Sequence, residues 1–549
     1  MLFALIFFLF SGKMPAEETN PELLTAAESS NFTATMTHAE VLTFIRTLQK
    51  KSSLFRVETL CFSPEGRYVP LLVVGNPIPN SPLELRNDKR AVIYIQANIH
   101  AGEVEGKEAS LMLLRDILLQ ENPPYLDRLI ILLAPDFNAD GNDKISPQNR
   151  RNQVGPEKGV GVRYNGQNLD LNRDAVKMES PELQGLLKNV LLRWDPALLV
   201  DCHTTNGSYH EEPVTYLWGI NPNTDKSITL YMRDQMLPAI QNHLKEKYDV
   251  LSIPYGNFML SREPETAGQV EGWRPAGPEA RYITNYIGLR NRLSILNENY
   301  AYADYKTRVY GCYYFLKSIF DYCHSHAEEI ARLVQEADRN TKGKGLSSAE
   351  EDGFILESEP KPLKTPITIL GYEMEVIQRE GSWPRIRRTD TKKTYTLPHY
   401  ADFVPTHSIV RPRGYLIPLH DNIITQKLLQ HGLTIEKLVE SADIEVEAFQ
   451  LTEIKGEERI FQGHRTNSVK GKYKTQVEHF PAGTLFVSTA QPLGNLVCHL
   501  LEAESDDGLL AWNFFDNYIV AQWGRQPQDY PVYRLHNKQV KLVKETISH

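Results

Sequence analysis

Short, almost continuously apolar runs alternate with amphipathic stretches over the first two thirds of the chain. Val69–Val74, Ala91–Ile95, Leu129–Leu133, Ala197–Val200 and Leu293–Leu296 have the pattern of strands buried on both faces. Between them, apolar residues recur at helical spacing. Val41, Phe44, Ile45 and Leu48 form one such stripe, opened by Thr37 as an N-cap with Glu40 completing a capping box. Ala109–Leu119, Glu182–Trp194 and Lys226–Tyr248 give further helices. This alternation from Thr37 to Ala337 predicts an α/β domain, a mixed, largely parallel sheet with helices on both faces. Sites in such sheets form at the carboxyl ends of strands, and His100 and His203 both fall just past apolar runs.

The pattern changes after Ala337. Asp338–Asp352 is polar and glycine-rich and reads as a linker. Beyond it, short runs at Ile367–Leu370, Tyr415–Pro418, Val446–Leu451 and Thr484–Val487 predict a β-rich, sandwich-like region over 353–549. One helix interrupts it at Ile423–Gln430, capped by Asn422 and stopped by Gly432, followed by a helical turn at Ile435–Val439. Phe480–Thr484 and Trp512–Asp516 combine turn residues with aromatics and read as core and turn. Their alternative role is to shape the mouth of a site or bind a polymer. The division is 1–12, 13–36 (a flexible N-terminal segment), 37–337, 338–352 and 353–549.

Composition narrows the function classes. The 549 residues carry a net charge of −9, which argues against a nucleic-acid partner. The five cysteines have no CxxC spacing, so they suggest neither a disulfide scaffold nor a thiolate metal site. Leu2–Phe10 is wholly apolar, too short to span a bilayer but matching the apolar stretch of a signal peptide. It points to a secreted or periplasmic protein, or to a cytoplasmic one if the segment is not a signal. No later stretch predicts a membrane span.

Candidate chemistry starts at His100-Ala-Gly-Glu103, on the loop between an apolar run and a helix. An imidazole and a carboxylate so spaced can turn toward one point, and a catalytic zinc needs one more protein ligand besides water. His203, in Asp201-Cys202-His203-Thr204-Thr205, is delivered by another apolar run. Between these segments lie Asn138-Ala139-Asp140-Gly141, Arg150-Arg151-Asn152 and Asp170-Leu171-Asn172-Arg173. Further on, Glu298 ends the run that starts at Leu293.

In this order, the segments resemble those of the zinc carboxypeptidase family, over roughly Thr37 to Ala337. The resemblance implies an eight-stranded-type sheet, one Zn2+ per chain held by His100, Glu103 and His203, and hydrolysis of C-terminal peptide bonds by metal-activated water. It further implies that Asp170 holds the ring of His100 and that Arg150 stabilises the oxyanion, with Arg151 as the alternative. Asn172 and Arg173 would clasp the substrate's terminal carboxylate. Glu298 would be the general base, with Glu279 as the alternative. The substrate is then a peptide or acyl amino acid with a free carboxylate. Either Tyr282 or Tyr286 could close over it. Ala139 departs from the family's proline. His210 reads as a loop histidine and Cys202 as a core filler. The Asp-x-His segment is also similar to that of aspartoacylase and succinylglutamate desuccinylase relatives, which makes an N-acyl amino acid amidohydrolase the alternative. A non-catalytic binding protein on the same fold is a third reading, which the retention of Glu298 disfavours.

Overall fold

A computed structural model describes residues 23–261, 266, 268–347, 352–379, 382–519 and 529–547; Leu2–Phe10 lies outside them. Strands β1 (Phe55–Phe62), β2 (Tyr68–Val74), β3 (Ala91–Ala97), β4 (Leu129–Ala134), β5 (Leu198–Thr205), β6 (Val214–Trp218) and β7 (Ser252–Pro254) come first in the chain. A separate ribbon, β8 (Asn257–Leu260) and β9 (Val270–Arg274), precedes β10 (Leu293–Tyr300). All but that ribbon form one eight-stranded sheet in the order β1-β2-β4-β3-β5-β10-β6-β7. The central block β4-β3-β5-β10 is parallel, β1 and β2 add antiparallel strands at one edge, and β6 runs against β10.

Side chains alternate strictly between two cores, as the pleat requires. Ile93, Ile95, Ile131, Leu133, Leu198 and Val200 face one layer, built with helices His38–Gln49, Glu105–Leu118, Leu237–Tyr248 and Tyr305–Ser325. Tyr94, Ile130, Leu132 and Leu199 face the other, where Leu183, Leu187 and Tyr286 meet them. The capping box at Thr37 is present: its hydroxyl accepts from Glu40 N, and Glu40 returns a bond to Thr37 N.

The sequence pattern placed His203 beyond its strand, whereas the structure puts it inside β5, and Glu298 lies within β10. The two residues are register partners, so their side chains leave the same face of the sheet. Apolar periodicity marks burial among apolar neighbours, while the ladder continues through buried polar residues.

Residues 23–36, read as part of a flexible segment, are packed. Leu23, Ala27 and Met36 are buried, and the buried Glu108 accepts from Ala27 N, Thr35 Oγ1 and Met36 N. The supposed linker is also partly helical, since Ala327–Leu346 is one helix. Two of its polar residues have partners in the main domain: Thr341 bonds Asn291, and Asp338 accepts from Arg292. Gly345 lies where a Cβ would come within 2.4 Å of the Ala490 backbone.

The C-terminal region contains two ribbons, β11 (Phe354–Lys361) with β14 (Asp402–Ile409) and β12 (Ile367–Arg379) with β13 (Ser382–Leu397). It also contains a seven-stranded antiparallel sheet of β15 (Gly414–Ile417), β16 (Glu436–Leu438), β17 (Ala442–Gly456), β18 (Asn467–Phe480), β19 (Leu485–Ser488), β20 (Tyr533–Leu535) and β21 (Lys544–Thr546). The helical turn expected at Ile435–Val439 is strand β16, paired on both sides, and the cap of helix Asn422–Gln430 is Asp421. Tyr415, Phe449, Leu496 and Trp512 join the second core of the main sheet, so the two regions share apolar interior. Among the described residues no helix is long and apolar enough to cross a membrane.

Candidate metal centre and active site

β3 ends at Ala97, and the chain turns so that Glu103 N donates to His100 O at 2.8 Å. That turn brings both side chains to one point. Gly102 is required within it, because a Cβ there would lie 2.4 Å from Arg150 Cδ and 2.9 Å from Gly161 O. His203, from the end of β5, completes the group. Its Nδ1 is 3.2 Å from His100 Nδ1 and 2.9 Å from Glu103 Oε2, and His100 Nδ1 is 3.1 Å from Glu103 Oε1. These three residues are the one His/Cys/Asp/Glu group among the described residues whose ligand atoms could share an ion.

The outer nitrogens of both rings are held by carboxylates. His100 Nε2 donates to Asp170 Oδ1 at 2.9 Å, and His203 Nε2 to Asp201 Oδ2 at 2.7 Å. Each Nδ1 is thereby left facing inward, the arrangement that orients metal-ligating imidazoles. Ligands at zinc distances of about 2.0–2.1 Å in a tetrahedron stand roughly 3.3 Å apart, close to the spacings here, and the nitrogen–carboxylate donor set suits zinc. The residues fit the ion.

Electrostatics follow from this crowding. Burial alone would raise Glu103, but His100, Arg150 and His203 outweigh it and hold the carboxylate well below its usual range. Burial would lower His203, yet Asp201 and Glu103 push it well above the ordinary imidazole value. Glu298 has the opposite balance. Burial dominates and lifts it to about 8, with His203 opposing and Glu103 reinforcing. One carboxylate oxygen of Glu298 is buried without a partner.

His100, Glu103 and Glu298 line a cavity of about 380 Å³ together with Arg150, Arg151, Arg163, Arg173 and Asn172. Residues 41–184 match the family described as zinc carboxypeptidase. Carboxypeptidase 2 of Trichophyton tonsurans is 22% identical over 518 residues, covering 90% of this chain and 85% of that protein. Carboxypeptidase 2 of Trichophyton rubrum is 22% identical over 519 residues with the same coverage of each chain, 90% and 85%. The chain resembles the zinc carboxypeptidase family. A metallo-carboxypeptidase from Burkholderia cenocepacia superposes with a TM-score of 0.38 at 16% identity, over 53% of this chain and 70% of that one.

The remaining residues singled out by the resemblance to zinc carboxypeptidases fall as follows. Arg150 donates to Glu103 Oε1 at 2.9 Å and to the Thr204 carbonyl at 3.1 Å, so its guanidinium adjoins the metal group, while Arg151 lines the cavity. Buried Arg308 anchors the loop that follows Arg150, donating to the carbonyls of Val154, Ala303 and Gly155 at 2.6, 2.7 and 3.0 Å. Asn172 accepts from Ile283 N at 2.9 Å, and the Arg173 guanidinium lies 4.4 Å from the centre of the Tyr282 ring. Tyr282 lines the cavity. Tyr286 does not, being buried with its hydroxyl 2.7 Å from His431 Nδ1. Glu279 is not among the lining residues. His210 is buried against Tyr300, outside the metal group. Cys202 is a buried filler beside Gly106, where a Cβ would come within 2.3 Å of Cys202 Cβ.

Two further residues at the centre escaped the sequence reading. Asp201 carried a usable signal, since a residue two before His203 on a strand shares its face. Arg163 donates to Asp170 Oδ2 at 2.7 Å and lies 3.6 Å from Glu103 Oε1. It sits on a loop without periodicity, and no local pattern marks it.

Proposed function

We propose that the protein is a zinc-dependent carboxypeptidase that removes C-terminal residues from peptides. One observation carries this reading: His100, Glu103 and His203 converge beside a cavity that His100 and Glu103 line together with several arginines and Glu298, one of whose carboxylate oxygens has no partner. One zinc ion per chain, held by those three residues, would polarise the scissile carbonyl and acidify water from about 15.7 toward roughly 7.

Arg173 and Asn172 bind the substrate's terminal carboxylate, a guanidinium fork matching its two oxygens. Arg150 donates to the oxygen that gains negative charge as water adds to the carbonyl carbon. Glu298 takes the proton from that water and passes it to the leaving nitrogen as the C–N bond breaks. Asp170 and Asp201 keep the two imidazoles oriented. Leu217, Ile220, Leu296, Thr284 and Asn285 line the cavity without adding an acidic group. An uncharged C-terminal side chain therefore suits it better than a basic one.

Hydrolysis of N-acyl amino acids uses the same groups with the other side of the amide anchored, and the Asp201–His203 pair is compatible with it. Mass spectrometry of products from a mixed library of free peptides, C-terminally amidated peptides and N-acyl amino acids separates the two. The proposal expects loss of single C-terminal residues from free peptides, with amidation slowing cleavage at least about 100-fold, the loss of a charge-assisted clasp of roughly 3 kcal/mol. Acyl removal alone, or equal rates on free and amidated peptides, refutes it.

A further inference from the structure

The C-terminal region reaches the surroundings of the metal centre through a hairpin tip. Beyond the last β17–β18 pair, Gly456 with Asn467, the hairpin narrows to a two-residue tip. Phe461 N donates to His464 O at 2.7 Å and His464 N to Phe461 O at 3.0 Å. Between them, Gln462 and Gly463 have φ of +51° and +83°. A turn with both central residues in the left-handed region favours Asn, Asp or Gly at its first position. Gln gains nothing there from backbone preference, and its side chain has a visible use. Gln462 Oε1 accepts the Asp170 backbone N–H at 2.8 Å.

Asp170 is the residue whose carboxylate holds His100 Nε2 and the Arg163 guanidinium. The tip is braced on both sides of Gln462. Phe461 lies under the Arg281 guanidinium at 5.3 Å and near Trp512 at 6.1 Å. His464 bonds Glu179 at 2.9 Å and Asn513 at 3.1 Å. Arg281 is itself fixed by Asp507 and precedes Tyr282 of the cavity wall. The brace thus holds the segments that follow Arg173 and precede Tyr282, both residues of the cavity wall, and the Gln462 amide reaches the residue behind a metal ligand.

We propose that Gln462 is a positioning residue: from the accessory region it fixes the Asp170 peptide and, through the Asp170 carboxylate, the orientation of His100. The assignment rests on the reading of His100 as a zinc ligand. Groups that orient metal ligands directly change metal affinity by about 10–100-fold. Gln462 stands one bond further out, so its effect is smaller, about three- to tenfold.

The test measures zinc dissociation constants by competition with a chromophoric chelator on the full chain, with thermal midpoints in parallel. Gln462→Met keeps length and bulk but has no strong acceptor, whereas Gln462→Glu keeps the acceptor oxygen. The expected result is a three- to tenfold weaker zinc complex for Gln462→Met and an affinity within about twofold of the parent for Gln462→Glu. Equal affinity of Gln462→Met and parent overturns the assignment, whatever the midpoints do. So does a Gln462→Glu protein as weak as Gln462→Met. A parent chain that binds no zinc overturns the reading of the centre itself, and the assignment falls with it.

Discussion

Glu298 and Glu103 belong to one cavity, yet their surroundings drive them apart. Glu103 is surrounded by cationic and hydrogen-bonding groups and stays ionised, while Glu298 is buried with an oxygen left over and sits at about 8. A divalent cation beside it would favour the charged form, leaving a carboxylate that can accept a proton and return it, as a general base must. Glu298→Gln keeps the shape and removes the basicity. Turnover should fall by about 10²–10⁴, with zinc content unchanged by atomic absorption; undiminished turnover would remove Glu298 from the mechanism. The cluster of His100, Glu103 and His203 was legible because each residue ends or follows an apolar run and because their order along the chain is distinctive. Arg163 and Gln462 were not, since each acts through a contact formed only when distant segments meet.

Elements packed against the site are joined by titratable pairs, and the hairpin tip supplies one with a definite pH window. The bond to His464 and the charge of Lys177 outweigh burial and lower Glu179 to about 2, while the same bond raises His464 above its usual 6.5. The lowered carboxylate stabilises the fold above about pH 4.5, and this is lost as pH falls through about 2. The raised imidazole stabilises it below about pH 6.5, and this is lost as pH rises through its folded value. Glu179→Gln should therefore cost most between about pH 4.5 and 6.5. Less is lost at pH 8.5, where the Glu179–Lys177 contact of 3.0 Å remains. Urea unfolding at pH 5.5 and 8.5 checks this, and an equal cost at both values would contradict it. At this scale the strands of the main sheet were readable because each is buried on both faces. The helix Ala327–Leu346 was misread as partly linker because a few of its polar residues and one glycine serve packing: Thr341 and Asp338 bond Asn291 and Arg292, and Gly345 lies against the Ala490 backbone.

The whole molecule is built around a core that crosses the boundary expected between its parts. Phe354, Tyr415, Phe449 and Trp512 pack with Leu187, Tyr286 and other residues on one side of the main sheet. Apolar faces of that kind must be covered. A chain ended at residue 347 should accordingly aggregate, as read by size-exclusion chromatography, and a monodisperse fragment with full zinc affinity would show that the C-terminal region is dispensable. The sequence pattern distinguished an α/β part from a β-rich part but held no sign that they share an interior, because composition reports what is buried and not against what. The central claim is the metal centre, and a diffraction measurement on zinc-loaded crystals at the zinc absorption edge tests it most directly. The account predicts one anomalous peak per chain, about 2.0–2.2 Å from His100 Nδ1, His203 Nδ1 and a Glu103 oxygen. A peak held by other residues, or none at saturating zinc, would contradict it.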